Sequence, residues 1–361
     1  GYLGYHASES WGLSWKIRGF CKDESNFDVF DDVKVYGDMK DSVIHHLYYG
    51  HYSYGVVDAI YTGNELHSNT IYGFDGHHFS RNVTVSDNLV YNNVNHGIIF
   101  SKWCSNVTIS NNVVKTSNVG IFLHSLGDDS VVKDNEVSDC DSGIAFLESS
   151  RGVITGNTLL NNRIGIRFSV GSTENLVKEN LIMGSTELDV STYNGTESTV
   201  ESSSGRPSNI VFVSNSFSGE ISVRDSDGIV FMDNEFTEDV KIAIRDSSAL
   251  VLEDDVVVTT TGESCLDDKI EGNSCGIDVD FVDEINNLPI YPGISLTFSP
   301  SSSPTFSPSS SPTPTTPIAI PTPEPLPGSP RDDATSDGVV YSYKLGLIYY
   351  SSVCIIISII V

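Results

Sequence analysis

At 361 residues, 39% of them hydrophobic, the chain is long enough to bury a sizeable core. Its 48 acidic residues against 20 basic ones give a formal charge of −28, which argues against nucleic acid as a partner and suits a secreted protein kept soluble by charge. The same balance disfavours a polyanionic ligand unless the few cations are gathered in one groove.

Residues 1–62 read as irregular early coils rich in Tyr and His, around His45, His46, Tyr48, Tyr49, His51 and Tyr54. The chain starts at Gly1 with no initiator Met and no signal peptide in view, so earlier coils and an N-terminal cap are expected upstream. From 63 to 185 a repeat sets in. Glycines 73, 97, 120, 143 and 165 open equivalent segments spaced 24, 23, 23 and 22 residues apart. Asn64, Asn88, Asn112, Asn135, Asn157 and Asn180 keep the same beat. Self-similarity at this period marks a solenoid, in which each repeat buries its apolar face against its neighbours. Each unit holds short β-rich runs separated by Asn, Asp, Ser and Gly, without helical or leucine-rich spacing. The pattern predicts an all-β fold, a right-handed parallel β-helix over about residues 20–258. The asparagines are expected to stack at a turn, as an amide ladder in left-handed backbone.

Strand alternation sorts the side chains. Phe74, Ile98, Ile121, Ile144 and Ile166 fall one position after the glycines; Gly76, Phe100, Leu123, Phe146 and Phe168 fall two further on, and both sets face inward. Asp75, Ile99, Phe122, Ala145 and Arg167 then share the outer, solvent-facing side with His77, Ser101, His124, Leu147 and Ser169. His124 stands two coils from His77, roughly 10 Å away at ~4.8 Å per strand. Lys102 sits just past the strand end beside them.

The beat breaks between Asn180 and Asn215, where the polar stretch Ser185 to Ser208 reads as a long turn or lobe. Coils resume near Ile210 and Ile229 and end near Val258, so the β-helix domain is taken as 1–258 and a C-terminal closure as 259–297. Six cysteines (Cys21, Cys104, Cys140, Cys265, Cys275 and Cys354) make no CxxC and no Cys/His zinc spacing, and no metal site is expected. Cys265 and Cys275 close a short polar loop and are candidates for a disulfide in an exported protein. Asn82, Asn106 and Asn194 open sequons for glycosylation, with a plain turn role as the alternative for the first two. Residues 298–338 are Ser/Thr/Pro-rich and read as an extended linker, and 339–361 as an apolar segment resembling a lipid-anchor attachment signal, with a tail-anchoring helix as the competing reading.

The run Tyr72-Gly-Phe-Asp75-Gly76-His77-His78, followed one coil later by His96-Gly-Ile-Ile-Phe-Ser-Lys102, resembles the mannuronan C-5-epimerases of algae and alginate-producing bacteria. That family's core signature is Tyr-Gly-hydrophobic-Asp-Pro-His-Asp and then a His-Gly-Ile-Ile coil. The resemblance covers roughly residues 1–185. Gly76 replaces the family's Pro and His78 its final Asp, which leaves local strand geometry and the support around the motif as the points to test.

The resemblance implies epimerisation at C5 of β-D-mannuronate to α-L-guluronate within polymeric alginate. The proton removed lies α to a carboxylate, so a cation must neutralise charge that builds on charge. A base takes the proton and an acid across the ring supplies another. His77 is the candidate base, because imidazole ordinarily titrates near neutrality. Tyr72 is its partner acid or base, Lys102 neutralises the substrate carboxylate, and Asp75 orients His77 or binds hydroxyls. His96, His124 and Arg167 are candidates for substrate binding. No cofactor is required, and calcium dependence is left open. The expected partner is an alginate chain, with no nucleic acid and no membrane contact beyond the C-terminal segment, for a monomer that is secreted or held at the cell surface. A β-helical alginate or uronate lyase and a non-catalytic alginate-binding surface protein are the alternatives.

Overall fold

The structure is a computed structural model. It describes residues 37–125, 127–193, 205–237, 240–253, 256–268, 275 and 277, and, as backbone strands, Trp11–Trp15, Ile17–Arg18, Tyr349–Tyr350, Val353–Cys354 and Ile356–Ile357. The expected linker, most of the closure, the side chains of the apolar tail and Asn194 lie outside the described residues.

Each coil contributes one strand to each of three parallel sheets, as in Arg81–Ser86, Leu89–Tyr91 and His96–Ser101. The first sheet has eleven strands and contains Tyr72–His77, His96–Ser101 and Val119–His124; the second has nine, from Val43–His45 to Glu235–Phe236; the third has eleven, ending at Cys265–Asp267. The β-helix expectation is met, with no helix among the described residues. Pairing is parallel and in register from coil to coil, so equivalent residues stack in columns.

The inward columns form the core. Phe74, Ile98, Ile121, Ile144 and Ile166 stack as expected and are buried, and Val190, Ile221 and Ile242 continue the column. Each such side chain favours the fold by roughly 1.5–3 kcal/mol on burial. His51 precedes Phe74 in this column, fully buried between Tyr61 and Phe74 at 4.4 and 5.6 Å between ring centroids. Burial holds its imidazole down to about 3, so it is a neutral core residue.

The asparagines do form a ladder. Asn64 Nδ2 donates to Asn88 Oδ1 at 2.9 Å, and the relay passes through Asn112, Asn135, Asn157, Asn180, Asn215 and Asn234 at 2.8–3.0 Å. It ends on Glu253, whose Oε1 accepts from the Asn234 side chain at 2.9 Å. The backbone expectation is corrected. The left-handed residue is the one before each asparagine (Gly63, Asp87, Asn111, Asp134, Gly156, Glu179), and this turns the amide inward. Buried there, each amide must find partners, and the next coil supplies them. A shorter ladder runs from Asn69 to Asn93.

The interruption after Tyr193 does not disturb the stack: Thr173 pairs with Ser208 and Asn180 with Asn215 across it. The sheets also run past residue 258, since Val257–Thr261 pairs with Lys241–Arg245 and Cys265–Asp267 with Ser248–Val251. Cys265 and Cys275 are disulfide-bonded, and Ile277 packs into an apolar cluster with Val230 and Leu250 on the outside of the third sheet.

Candidate active site

The strand Tyr72–His77 carries three of the four candidate catalytic residues, and two glycines shape it. Gly73 lies so close to the second sheet that an added Cβ would meet Val90 Cγ1 at 2.7 Å and Gly97 O at 2.6 Å. The alternation slips there, since Tyr72 pairs with His96 and the next pair is Phe74 with Ile98. Tyr72 therefore stands on the outer face, with its ring stacked on His96 at 4.9 Å and tilted against Tyr49 at 5.5 Å. Gly76 makes room for the next coil: a Cβ there would fall 2.1 Å from Phe100 Cε1. The departure from the family's Pro is thus matched by a large inward Phe one coil later.

Asp75 and His77 project outward two residues apart, but not into open solvent. Asp75, Ile99, Phe122 and Ala145 are buried, which corrects the expectation of a solvated face. Ile99, Val119, Phe122 and Ala145 form an outer apolar cluster with Tyr72 and Leu147 packed against it. Burial pushes the Asp75 carboxyl above the usual range, opposed by its bond to His77. The His77 Nδ1 lies 2.9 Å from Ser101 Oγ and 3.4 Å from Asp75 Oδ1. With Nδ1 engaged on that side, Nε2 is the nitrogen left to accept a proton.

Burial first, then the negative charge of Asp75, pushes the Tyr72 hydroxyl up to about 12, so it stands protonated at neutral pH and is a proton donor. Tyr72 and His77 bracket the strand, roughly 16 Å apart between backbones at ~3.3 Å per residue. Lys102 follows the adjacent strand in a turn with φ of 61°, and its charge reaches both His78 and His124. It forms no ion pair among the described residues.

The other expected residues are arranged unequally. His96 lies between Tyr72 and Phe122 and is held down to about 4, chiefly by burial. His124 stacks on Phe122 at 5.1 Å and is lowered by burial, with Glu148 opposing. Arg167 stands four strands from Asp75 in the same column, although its charge still bears on His96. Asn82 and Asn106 are second in the adjacent strands Arg81–Ser86 and Ser105–Ser110 of the third sheet, and Asn106 Nδ2 donates to Asn82 Oδ1 at 3.3 Å.

Two participants carry no role in the sequence reading. Ser101 is paired in register with His77, and that column position was the signal for it. His78 stacks on Tyr54 at 4.8 Å and lies 4.2 Å from the His77 ring, held down to about 3 by burial and then by the charges of His77 and Lys102.

A family model described as "Periplasmic copper-binding protein (NosD)" matches residues 22–175 and 130–249. The chain belongs to the NosD family. Curated relatives bear the name that the motifs suggest. One is the mannuronan C5-epimerase AlgG of Azotobacter vinelandii, 35% identical over 190 residues, covering 50% of this chain and 35% of that protein. Another is the mannuronan C5-epimerase of Pseudomonas syringae pv. tomato, 30% identical over 160 residues, covering 43% of this chain and 29% of the relative. The chain thus spans about a third of the length of the curated relatives it matches. Among solved structures, the periplasmic alginate epimerase AlgG aligns at a TM-score of 0.47 and 21% identity, over 65% of this chain and 53% of that one.

The NosD description names copper, and the described residues do not fit it. The densest imidazole group is His45, His46 and His67 on the second sheet. His45 and His67 lie face to face at 4.8 Å and 11°, a geometry that keeps their in-plane nitrogen lone pairs from converging on one ion. His67 Nδ1 is already 3.1 Å from Ser68 Oγ. Among the described residues no group of three or more His, Cys, Asp or Glu is placed to hold a metal ion.

Proposed function

We propose that this chain epimerises β-D-mannuronate residues to α-L-guluronate within alginate, as the catalytic solenoid of a mannuronan C5-epimerase. The observation that carries the reading is the pairing of an imidazole pinned at Nδ1 with a protonated tyrosine at the far end of the same strand. A pyranuronate laid across the strand sits between them. His77 Nε2 removes the C5 proton, and the electron pair delocalises into the carboxylate as a dianion. Lys102 neutralises that charge, which is larger in the transition state than in the ground state. The Tyr72 hydroxyl returns a proton to the opposite face of C5, and the resulting phenolate and imidazolium re-equilibrate with solvent. Ser101 and Asp75 hold the imidazole in orientation, and buried Asp75 also stabilises it when protonated. His96 and His124 line the same face as neutral groups able to hydrogen-bond sugar hydroxyls, and Arg167 is assigned to a more distant sugar carboxylate.

A location outside the cytoplasm accords with the Cys265–Cys275 disulfide and with the family's periplasmic description. Anchoring through residues 339–361 is part of the same proposal, and release of the intact protein by phospholipase would support it. The deciding experiment incubates polymannuronate with the protein in deuterated water and follows it by proton NMR. New guluronate signals with deuterium at C5 are expected. Unsaturated, ultraviolet-absorbing ends would instead identify a lyase, and binding without conversion a carbohydrate-binding surface protein.

A further inference from the structure

After each strand of the first sheet the chain turns through one left-handed residue: His78, Lys102, Ser125, Glu148 and Val170 occupy equivalent places. In the two coils of the candidate site the next residue is left-handed as well, as it is at Gly171 after Val170, but here it is aromatic. Those residues are Phe79, with φ of 61°, and Trp103, with φ of 60°. Left-handed backbone opposes a bulky L side chain. Elsewhere along the solenoid such positions hold mainly Asp, Asn, Ser and Gly, and no other Phe, Tyr or Trp among the described residues adopts one. Strain of this kind persists where the surroundings over-determine it, and it gathers at ligand clamps.

The two rings lie parallel, with centroids 5.3 Å apart and planes at 9°. Both are half-buried. Trp103 comes within 5.9 Å of His78, whose ring is 4.2 Å from His77, so a row of rings leads from the candidate base to Trp103. Lys102 immediately precedes Trp103 in the chain.

We propose that Phe79 and Trp103 form a sugar subsite that stacks against the pyranose ring of the uronate residue next to the one that reacts. The identity of that sugar rests on the epimerase reading; the stacking does not. A pyranose presents C–H groups on its faces and keeps hydroxyls and carboxylate at its rim, so it packs flat on an aromatic ring without requiring a counter-charge. That property suits this chain. With a formal charge of −28 it repels a polyanion at long range, and affinity from stacking adds to Lys102 without further cations.

The test is calorimetric titration of the full chain with mannuronate oligomers, alongside thermal unfolding, for wild type, Trp103→Ala, Trp103→Phe and Trp103→Asn. Trp103→Ala is expected to weaken oligomer binding by about tenfold and to raise KM with little change in kcat. Trp103→Phe should keep most of the affinity. Trp103→Asn should melt no lower than wild type, because Asn accepts left-handed backbone, and yet bind as weakly as Trp103→Ala. Wild-type affinity in both Trp103→Ala and Trp103→Asn would overturn the subsite and leave the epimerase reading standing. A Trp103→Asn protein that melts well below wild type but binds normally when cooled would also overturn it, by marking the ring as structural. A wild-type chain that binds no mannuronate oligomer overturns the epimerase reading and, with it, the uronate subsite as proposed.

Discussion

The coil at Tyr72–Phe79 and the coils at Ser142–Ser149 and Ile164–Gly171 share one backbone. Each has a six-residue strand with glycine second, an apolar inward column and a left-handed residue after the strand. They differ on the outside. Where the first coils hold Asp75, His77 and Lys102, the later ones hold Ala145, Leu147 and Glu148 at the equivalent places. The cations are treated differently too. Arg163 is paired with Asp141 and Glu187, and Arg151 with Asp128 and Asp129, while Lys102 has no carboxylate partner among the described residues. Lys133 and Lys241 likewise have no carboxylate partner among the described residues, but Lys102 directly follows Ser101, the residue paired with His77, where a substrate carboxylate would need a cation. The inner columns hold the shape and the outer columns are at liberty to carry chemistry.

Moving residues of the later coils into the first ones should break that division. Lys102→Glu, the residue of the equivalent turn at Glu148, is expected to lower kcat/KM by at least ~10⁴-fold, because it adds like-charge repulsion to the loss of a stabilising cation. Lys102→Ala should do less harm but still weaken both turnover and binding. An effect confined to kcat would remove Lys102 from ground-state binding. His77→Leu, copying Leu147, should reduce kcat by ~10²–10⁴-fold while alginate affinity stays within a few-fold. Calorimetry and the NMR assay together check this, and substantial retained turnover would exclude His77 as the base. Tyr72→Phe preserves the stack on His96 and should cost about 10²-fold in kcat with an unchanged melting temperature. Full activity in that variant would return Tyr72 to a packing role.

Smaller effects probe the frame. Gly76→Ala should destabilise by about 1–3 kcal/mol, since the new methyl group meets the Phe100 ring. Phe100→Leu in the same chain should recover part of that loss, and a strictly additive double mutant in denaturant titration would refute the packing account. His51 and His78, each held down to about 3, and His96, at about 4, stay neutral in the fold but gain protons near 6.5 when unfolded. The unfolded state then binds more protons across roughly pH 6.5 to 3, so stability is full above that window and falls on acidification through it. His51→Phe should flatten part of this slope in a series of melting curves. An unaltered slope would mean that His51 is not held neutral.

The frame was legible because a repeat announces itself: Asn64 to Asn180 and Gly73 to Gly165 set the period, and isoleucines set the inward column. The left-handed residues were misplaced by one position, since an exposed turn asparagine and a buried ladder asparagine look alike in a sequence. The site was legible through its motif, and Tyr72 reached the outer face because Gly73 approaches Val90 too closely for the alternation to continue. Ile99 and Phe122 were expected in solvent because alternation gives direction and not cover; what shields them are neighbours in other columns. Trp103 was overlooked for a related reason. Its importance lies in a backbone angle, which no spacing rule reveals.

The relay of asparagines also has a direction. Each amide donates toward the C-terminal neighbour and accepts from the one before, so every coil it joins offers a donor for one more. At Glu253 the last acceptor is a carboxylate, which accepts from Asn234 and has no N–H to hand on. Among the described residues the second sheet has its last strand at Glu235–Phe236 in the preceding coil, and the other two sheets continue. One carboxylate thus closes the relay of amides, where a further asparagine would have offered the next coil a donor.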